Sequence, residues 1–310
     1  MQATLHSNPA LLDRRGTGAP VFGARYLTSC VVMGDYFPYS DAERKVTTAE
    51  FFATHPVFSL EEAVQALAPE GARSTVVERL KHHLEVGRLQ LVTREIYAVV
   101  PPSSRAAAFK PDPYLVASAV RADGIYSYHS ALELLGAAHS TWNQLTLYTD
   151  HRRRPLRVKG ATLRFLEHPS PFRVGPARAL GTRQAERQGR LLSTTGPERT
   201  LVEGFHRPGL AGGLEELLLS VGGVPVLDLD LLCEVLKRYD VRKLWAATGW
   251  FLERHEKTFH VPGAILGRCE KRRPRSPHYL DRNSRGGTLS SRWNVVVPEE
   301  LRRVGGPDES

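Results

Sequence analysis

The stretch VFSLEEAVQALAPEGARSTVVERLKHHLEVGRLQLVTREIYAVVPP, residues 57–102, holds two helical periods followed by a strand pair. Ser59 with Glu62 three residues on has the capping-box spacing, and Leu60, Ala63, Val64 and Leu67 then recur at helical period. Ala68-Pro69-Glu70-Gly71 interrupts the stripe with the residues of a sharp interhelical turn, and residues 73–86 resume it with Val76, Val77, Leu80 and Leu84 on one side. Arg73, Ser74, Thr75, Glu78, Arg79, Lys81, His82 and His83 take the opposite side. Beyond Gly87, Leu89 and Leu91 alternate with polar neighbours, Thr93-Arg94-Glu95 makes a polar tip, and residues 96–100 form a β-rich strand ending at Pro101-Pro102. Helix, turn, helix and hairpin in this order predict a winged helix-turn-helix over 47–102.

In such a module the second helix enters the major groove of double-stranded DNA with its first residues on the base edges. Arg73, Ser74, Thr75 and Arg79 are the expected readers: Arg forks onto guanine, Ser and Thr reach base or phosphate, and the N–H groups of a helix start favour a phosphate. Lys81 and the wing-tip Arg94 are expected on the DNA backbone. The same pattern also serves as a packing module, and its charge is unsuited to attracting phosphates alone. Residues 47–102 carry five Lys and Arg against seven Glu. Reading DNA therefore requires cations from elsewhere in the chain.

Two blocks supply them. Residues 151–190 hold eleven Lys and Arg, beginning with Arg152, Arg153, Arg154, Arg157 and Lys159, against Glu167 and Glu186. Residues 268–292 hold eight against Glu270 and Asp281. Charge runs commonly line solvated faces, but guanidinium predominates in both, and it forks onto phosphate more specifically than an ammonium does. The expectation is that the winged helix reads sequence while the second domain holds the polyanion.

The 310 residues suffice for two domains with cores of their own, and the formal charge of +9 favours a polyanionic partner. Cys30, Cys233 and Cys269 are too far apart to frame a metal site or disulfides, which fits a reducing cytoplasm. No apolar run is long enough to span a membrane. Residues 1–46, rich in Gly, Ser and Pro, read as a poorly ordered arm, with Met33 an alternative start to Met1. Thr47 or Thr48 caps a short helix, 49–55. Residues 103–113 are a Pro-containing connector to a second domain, 114–266. There 114–121 is helical, 125–128 a strand, and 129–135 a helix closed by Gly136. Strands at 145–149, 156–158, 163–166 and 191–194 predict a small antiparallel sheet. Thr195-Gly196-Pro197-Glu198 has capping-box spacing before a helix with Leu201, Val202 and Phe205, and helices follow at 214–221, 227–239 and 241–254. An Arg-rich segment, 267–310, carries a candidate strand at 293–297. The fold class is α+β.

Little points to catalysis. His255 and His260 in HEKTFH are five apart, whereas two zinc ligands on one helix face need a spacing of four. Glu133, Glu167, Glu198 and Glu203 lack the grouping that a magnesium-dependent nuclease needs. Ser130 reads as a helix cap and His129 as a packed side chain. No catalytic residue, metal or cofactor is expected.

After the winged-helix pattern come YSYHSALELLG at 126–136 and GPERTLVEGFHRPGLAGGLEEL at 196–217. In that order they resemble the AbiEi family of type IV antitoxins, transcriptional regulators of bacterial toxin–antitoxin and phage-defence operons, over 47–254. The resemblance implies an autorepressor that binds inverted repeats in its operator, with a second domain that adds DNA contact and carries the neutralising activity. The implied functional partner is a nucleotidyltransferase-like toxin, without need of a stable complex. The resemblance places Arg73, Ser74, Thr75 and Arg79 on the reading helix and Arg94 at the wing. It places Pro197, Glu198, Arg199 and Thr200 at a helix start, where Glu198 closes a cap and Arg199 pairs with a carboxylate. One departure is Glu95, where family wings carry glycine. The first rival reading is an interaction protein whose winged helix packs on a partner and whose basic faces hold an acidic protein or RNA; the second is a nuclease acting on the nucleic acid it binds.

Overall fold

Thr47 and Glu50 form a reciprocal capping box that opens helix α1 (Thr48–Thr54). It is the first element in the computed structural model, which describes residues 46–68, 70–281 and 286–304. The proposed N-terminal arm, Met33 and Cys30 lie outside these residues. Strand β1 (Val57–Ser59) runs directly into α2 (Leu60–Leu67), whose start is fixed by the box between Ser59 and Glu62. Helix α3 (Arg73–Glu85) and the hairpin β2 (Leu89–Thr93) and β3 (Ile96–Val99) follow. Strand β1 pairs antiparallel with β3, giving the order β1-β3-β2.

The central strand β3 has a core on each face, which explains why IYAVV is apolar without alternation. Phe58 and Leu89 pack with Phe51, Leu60, Ala63, Val76 and Leu80, and Tyr97 and Val99 lie against the same cluster. Val57, Ile96 and Ala98 turn the other way, into a core shared with Tyr114, Leu115, Val116 and Ala117 of α4 (Pro113–Val120). Each fully buried ring such as Phe51 or Phe58 contributes roughly 1.5–3 kcal/mol relative to exposure.

The central sheet comprises β4 (Ile125–Tyr126), β5 (Gln144–Thr149), β6 (Arg153–Val158), β7 (Ala161–Glu167), β8 (Thr182–Arg187) and β9 (Arg190–Thr195). Its order is β6-β7-β5-β4-β9-β8. Three neighbouring pairs are antiparallel, but β5/β7 and β4/β9 are parallel, so the sheet is larger than the strand pattern suggests and mixed. The cause is the β6–β7 hairpin, which folds back so that β7, not β6, lies against β5. Leu145, Leu147, Leu163, Phe165 and Leu192 face α4. Ile125 and Tyr148 face the second, helical layer.

That layer contains α5 (His129–Leu134), α6 (Pro197–His206), α7 (Leu214–Gly222), α8 (Leu229–Tyr239), α9 (Arg242–Arg254) and α10 (Gly263–Arg272). A small sheet of β10 (His278–Tyr279), β12 (Val295–Val297) and β11 (Thr288–Ser290) closes the chain, with Trp293 fully buried beside it. The result is a mixed α/β protein. Two expected caps are replaced by other contacts. The N-cap of α5 is Tyr128 at φ 56°, while Ser130 Oγ accepts the backbone N–H of Thr146 at 2.9 Å and ties the helix to β5. The N-cap of α6 is Gly196, which has no side chain to cap with, and Thr195 Oγ1 bonds Thr200 Oγ1 at 2.7 Å instead.

Candidate nucleic-acid interface

Helix α3 buries Val76 and Leu80 and half-buries Val77, His83 and Leu84. At 100° per residue the opposite face carries Ser74, Thr75, Glu78, Lys81, His82 and Glu85, all exposed. Ser74 and Thr75 thus lie outward in the first turn, and Arg79, also exposed, flanks them with Nη1 3.5 Å from Thr48 Oγ1. Arg73 lies instead in line with Leu80. Its guanidinium turns back to Glu61 at 3.4 Å and to Glu95 at 2.8 Å, the latter at the hairpin tip. Arg94, next to Glu95, is exposed, so the tip and the start of α3 form one surface. Lys81 is tied to Glu78 at 2.6 Å. The outward face of α3 is therefore slightly acidic, which explains why its module cannot draw phosphates by charge alone.

Pairing separates the arginines of 151–190, apart from the half-buried Arg164 of β7, into two groups. Five are held by carboxylates: Arg173 by Glu167 (3.1 Å), Arg178 by Asp150 (2.5 Å), Arg183 by Glu198 (2.9 Å), Arg187 by Asp112 (2.7 Å) and Arg190 by Glu62 (2.5 Å). The last two fasten the central sheet to the caps of α4 and α2. Lys159, expected on the DNA backbone, donates to the carbonyls of Ala107 (2.7 Å) and Phe109 (3.5 Å) and so positions the connector. Arg153, Arg154 and Arg157 of the outer edge strand β6 and Arg152 just before it are exposed, and none is within ion-pair distance of a carboxylate among the described residues. Arginines and Pro155 on an edge strand also discourage edge-to-edge pairing. The Lys159 end of β6 abuts the connector, and Arg153 stands about 17 Å further along at 3.3 Å per residue.

Three cations of the second Arg-rich block are neutralised within the fold. Arg268 faces Asp230 at 3.6 Å, Arg273 pairs with Glu270 at 2.9 Å, and Arg292 bridges Glu253 at 2.6 Å and Glu270 at 3.2 Å. Arg272 lies 5.0 Å over the Trp245 ring. Arg282 and Arg285 lie outside the described residues.

The residues of the 196–217 motif are internal supports. Arg199 and Glu203 are fully buried, with Nε 2.8 Å from Oε1. Arg199 Nη1 donates to the carbonyls of Arg178 and Leu180 at 2.9 and 3.0 Å, and its guanidinium lies 4.1 Å over Phe172. The hydroxyls of Tyr148 and Tyr239 donate to Glu203 at 3.1 and 3.2 Å. Burial pushes the Glu203 carboxyl up, against the pull of Arg199 and the two hydroxyls. Glu198, expected to close a cap, accepts the Asp228 N–H at 2.9 Å and pairs with Arg183. His129 is buried, stacked on Trp142 and 3.5 Å from Glu216. His255 stacks on Phe251 with Nδ1 2.9 Å from that residue's carbonyl. Among the described residues no group of three or more His, Cys, Asp and Glu could hold a metal ion, and no helix is long and apolar enough to cross a membrane.

No protein-family model and no curated protein matches the chain. A solved structure does: the crystal structure of the RV2827C protein from Mycobacterium tuberculosis, at 18% identity and a TM-score of 0.50, over 79% of this chain and 88% of that one. The likeness is one of fold.

Proposed function

We propose that this chain is a cytoplasmic, double-stranded DNA-binding regulator: α1–α3 with the β2–β3 hairpin act as a winged helix, and the arginines of β6 hold the backbone. The observation that carries the reading is the exposed start of α3, with Ser74 and Thr75 outward and Arg79 one turn further, and its tie to the wing tip through the Arg73–Glu95 pair. The N–H groups of that turn lack a side-chain cap and suit a phosphate. Arg73 joins the readers by exchanging Glu61 and Glu95 for a guanine. The two exposed pairs it gives up are worth about 0–1 kcal/mol each and a bidentate base contact about 1–3, so the pairs do not bar the exchange. With the two motifs at 126–136 and 196–217, the reading extends to an AbiEi-like antitoxin that represses its own promoter and counteracts a nucleotidyltransferase-like toxin.

Fluorescence anisotropy with a duplex from the chain's own promoter and a scrambled duplex tests this. The promoter is expected to bind roughly a thousandfold tighter or more. Equal affinities would overturn sequence reading. Glu78 and Glu85 on the outward face of α3 favour a second reading, a protein-binding module. Co-purification with the neighbouring gene product and no promoter shift would establish it.

A further inference from the structure

Cations that no carboxylate neutralises gather at one further place. The start of α9, the end of α10 and the turn after it enclose an open cavity of about 780 Å³, rimmed by Arg242, Lys271, Arg273 and Arg275 with Asn294 as a ledge. The one carboxylate in its lining, Glu270, is held by Arg292 at 3.2 Å and Arg273 at 2.9 Å, which keep it below the usual carboxylate range. Among the described residues, Lys271, Arg275 and Arg242 have no carboxylate within ion-pair distance; Arg242 Nη1 donates only to the carbonyl of Arg273, at 3.3 Å. Lys271 is well placed to offset the α10 dipole, but Arg242 sits at the positive end of α9, where a cation is disfavoured unless an anion accompanies it. No side chain caps that helix start and no acid occupies its first turn.

The walls are set in advance. Asn294, at φ 53°, donates from Nδ2 to the carbonyls of Pro274 and Arg275 at 3.0 and 3.3 Å and fixes the turn that carries two of the arginines. Cations converging on a concavity from three directions suit a compact, multiply charged anion, whereas the row on β6 suits phosphates strung along a duplex. Gly267 keeps one wall low.

We propose that this cavity binds a triphosphate group, carried by a nucleotide or as free polyphosphate, independently of the DNA-binding reading. Isothermal titration of the full chain with inorganic tripolyphosphate and with ATP tests it. Both are expected to bind, equal affinity pointing to the free anion and tighter ATP to a nucleotide. Lys271→Glu with Arg275→Glu should weaken both by about tenfold or more, and Arg153→Glu with Arg154→Glu should leave them unchanged. Gly267→Leu keeps every charge, and a Cβ there meets nothing within 4 Å. It should block the cavity and weaken binding about tenfold without lowering the melting temperature, since glycine is the poorer helix former. No binding by the native chain, equal loss in the Arg153/Arg154 variant, or native affinity in Gly267→Leu would overturn the site.

Discussion

Glu95 stands at φ 59°, in the left-handed region, one residue from the wing tip. Glycine takes that conformation without the roughly 1 kcal/mol that a side chain costs there, while the exposed pair with Arg73 returns at most about 1 kcal/mol. Glu95→Gly should therefore hold or slightly raise the melting temperature. By freeing Arg73 and removing an acid it should also tighten DNA binding; weaker binding would mean that Glu95 is itself a contact. His168 makes a separate, pH-dependent prediction. The ring is buried under Tyr148, and burial, then the Arg178 and Arg199 guanidinia, push it down to about 4. The unfolded chain takes up this proton near pH 6.5 and the folded chain only near pH 4, so the contribution to stability is complete above the first value and lost as pH falls towards the second. Urea unfolding should show a loss of up to about 2 kcal/mol between roughly pH 7.5 and pH 5, reduced in His168→Leu. Equal slopes in the two proteins would refute this assignment.

Elements with a strong local signal were legible in the chain. The Ser59–Glu62 capping box, the cap at Thr47 and the stripes of α2, α3, α8 and α9 agree with the pattern, because capping oxygens and period-3.6 burial are local properties. Strand β1 was not legible: Val57-Phe58 abuts the cap of α2, and only pairing with β3 makes it a strand. Helix α10 was missed because GAILGRCEKR offers two glycines and only Ile265, Leu266 and Cys269 as its buried side. Mixed pairing in the central sheet depends on which strands meet at long range, which no window of sequence contains. The same holds for the seat of Trp293. A Cβ on Gly249 of α9 would lie 2.2 Å from that ring, closer than the ring can yield without moving the β11–β12 layer. Gly249→Ala should cost about 1–3 kcal/mol in chemical unfolding despite the better helix propensity of alanine. An unchanged midpoint would show that the C-terminal sheet is free to shift.

At the scale of the whole molecule, +9 was legible, but its placement was not. Counting charges cannot tell Arg190, bound to Glu62 at 2.5 Å, from Arg154, which faces solvent. Only the fold separates cations that fasten the chain to itself from cations left over. The left-over arginines are on or beside β6, which packs into the α4 core, and α3 packs on the other face of the β1–β3 sheet that also enters that core, so both should engage a duplex together. The most direct test is anisotropy on promoter and scrambled duplexes, between roughly 50 and 200 mM salt, with two variants. Thr75→Ala with Arg79→Ala should lose about 1–3 kcal/mol per base contact on the promoter alone, with an unchanged salt slope. Arg152→Ala with Arg153→Ala and Arg154→Ala should weaken both duplexes alike and flatten the salt slope by up to about 3. Equal losses on both duplexes in the first variant, or an unaltered slope in the second, would contradict the division between a reading helix and a holding strand.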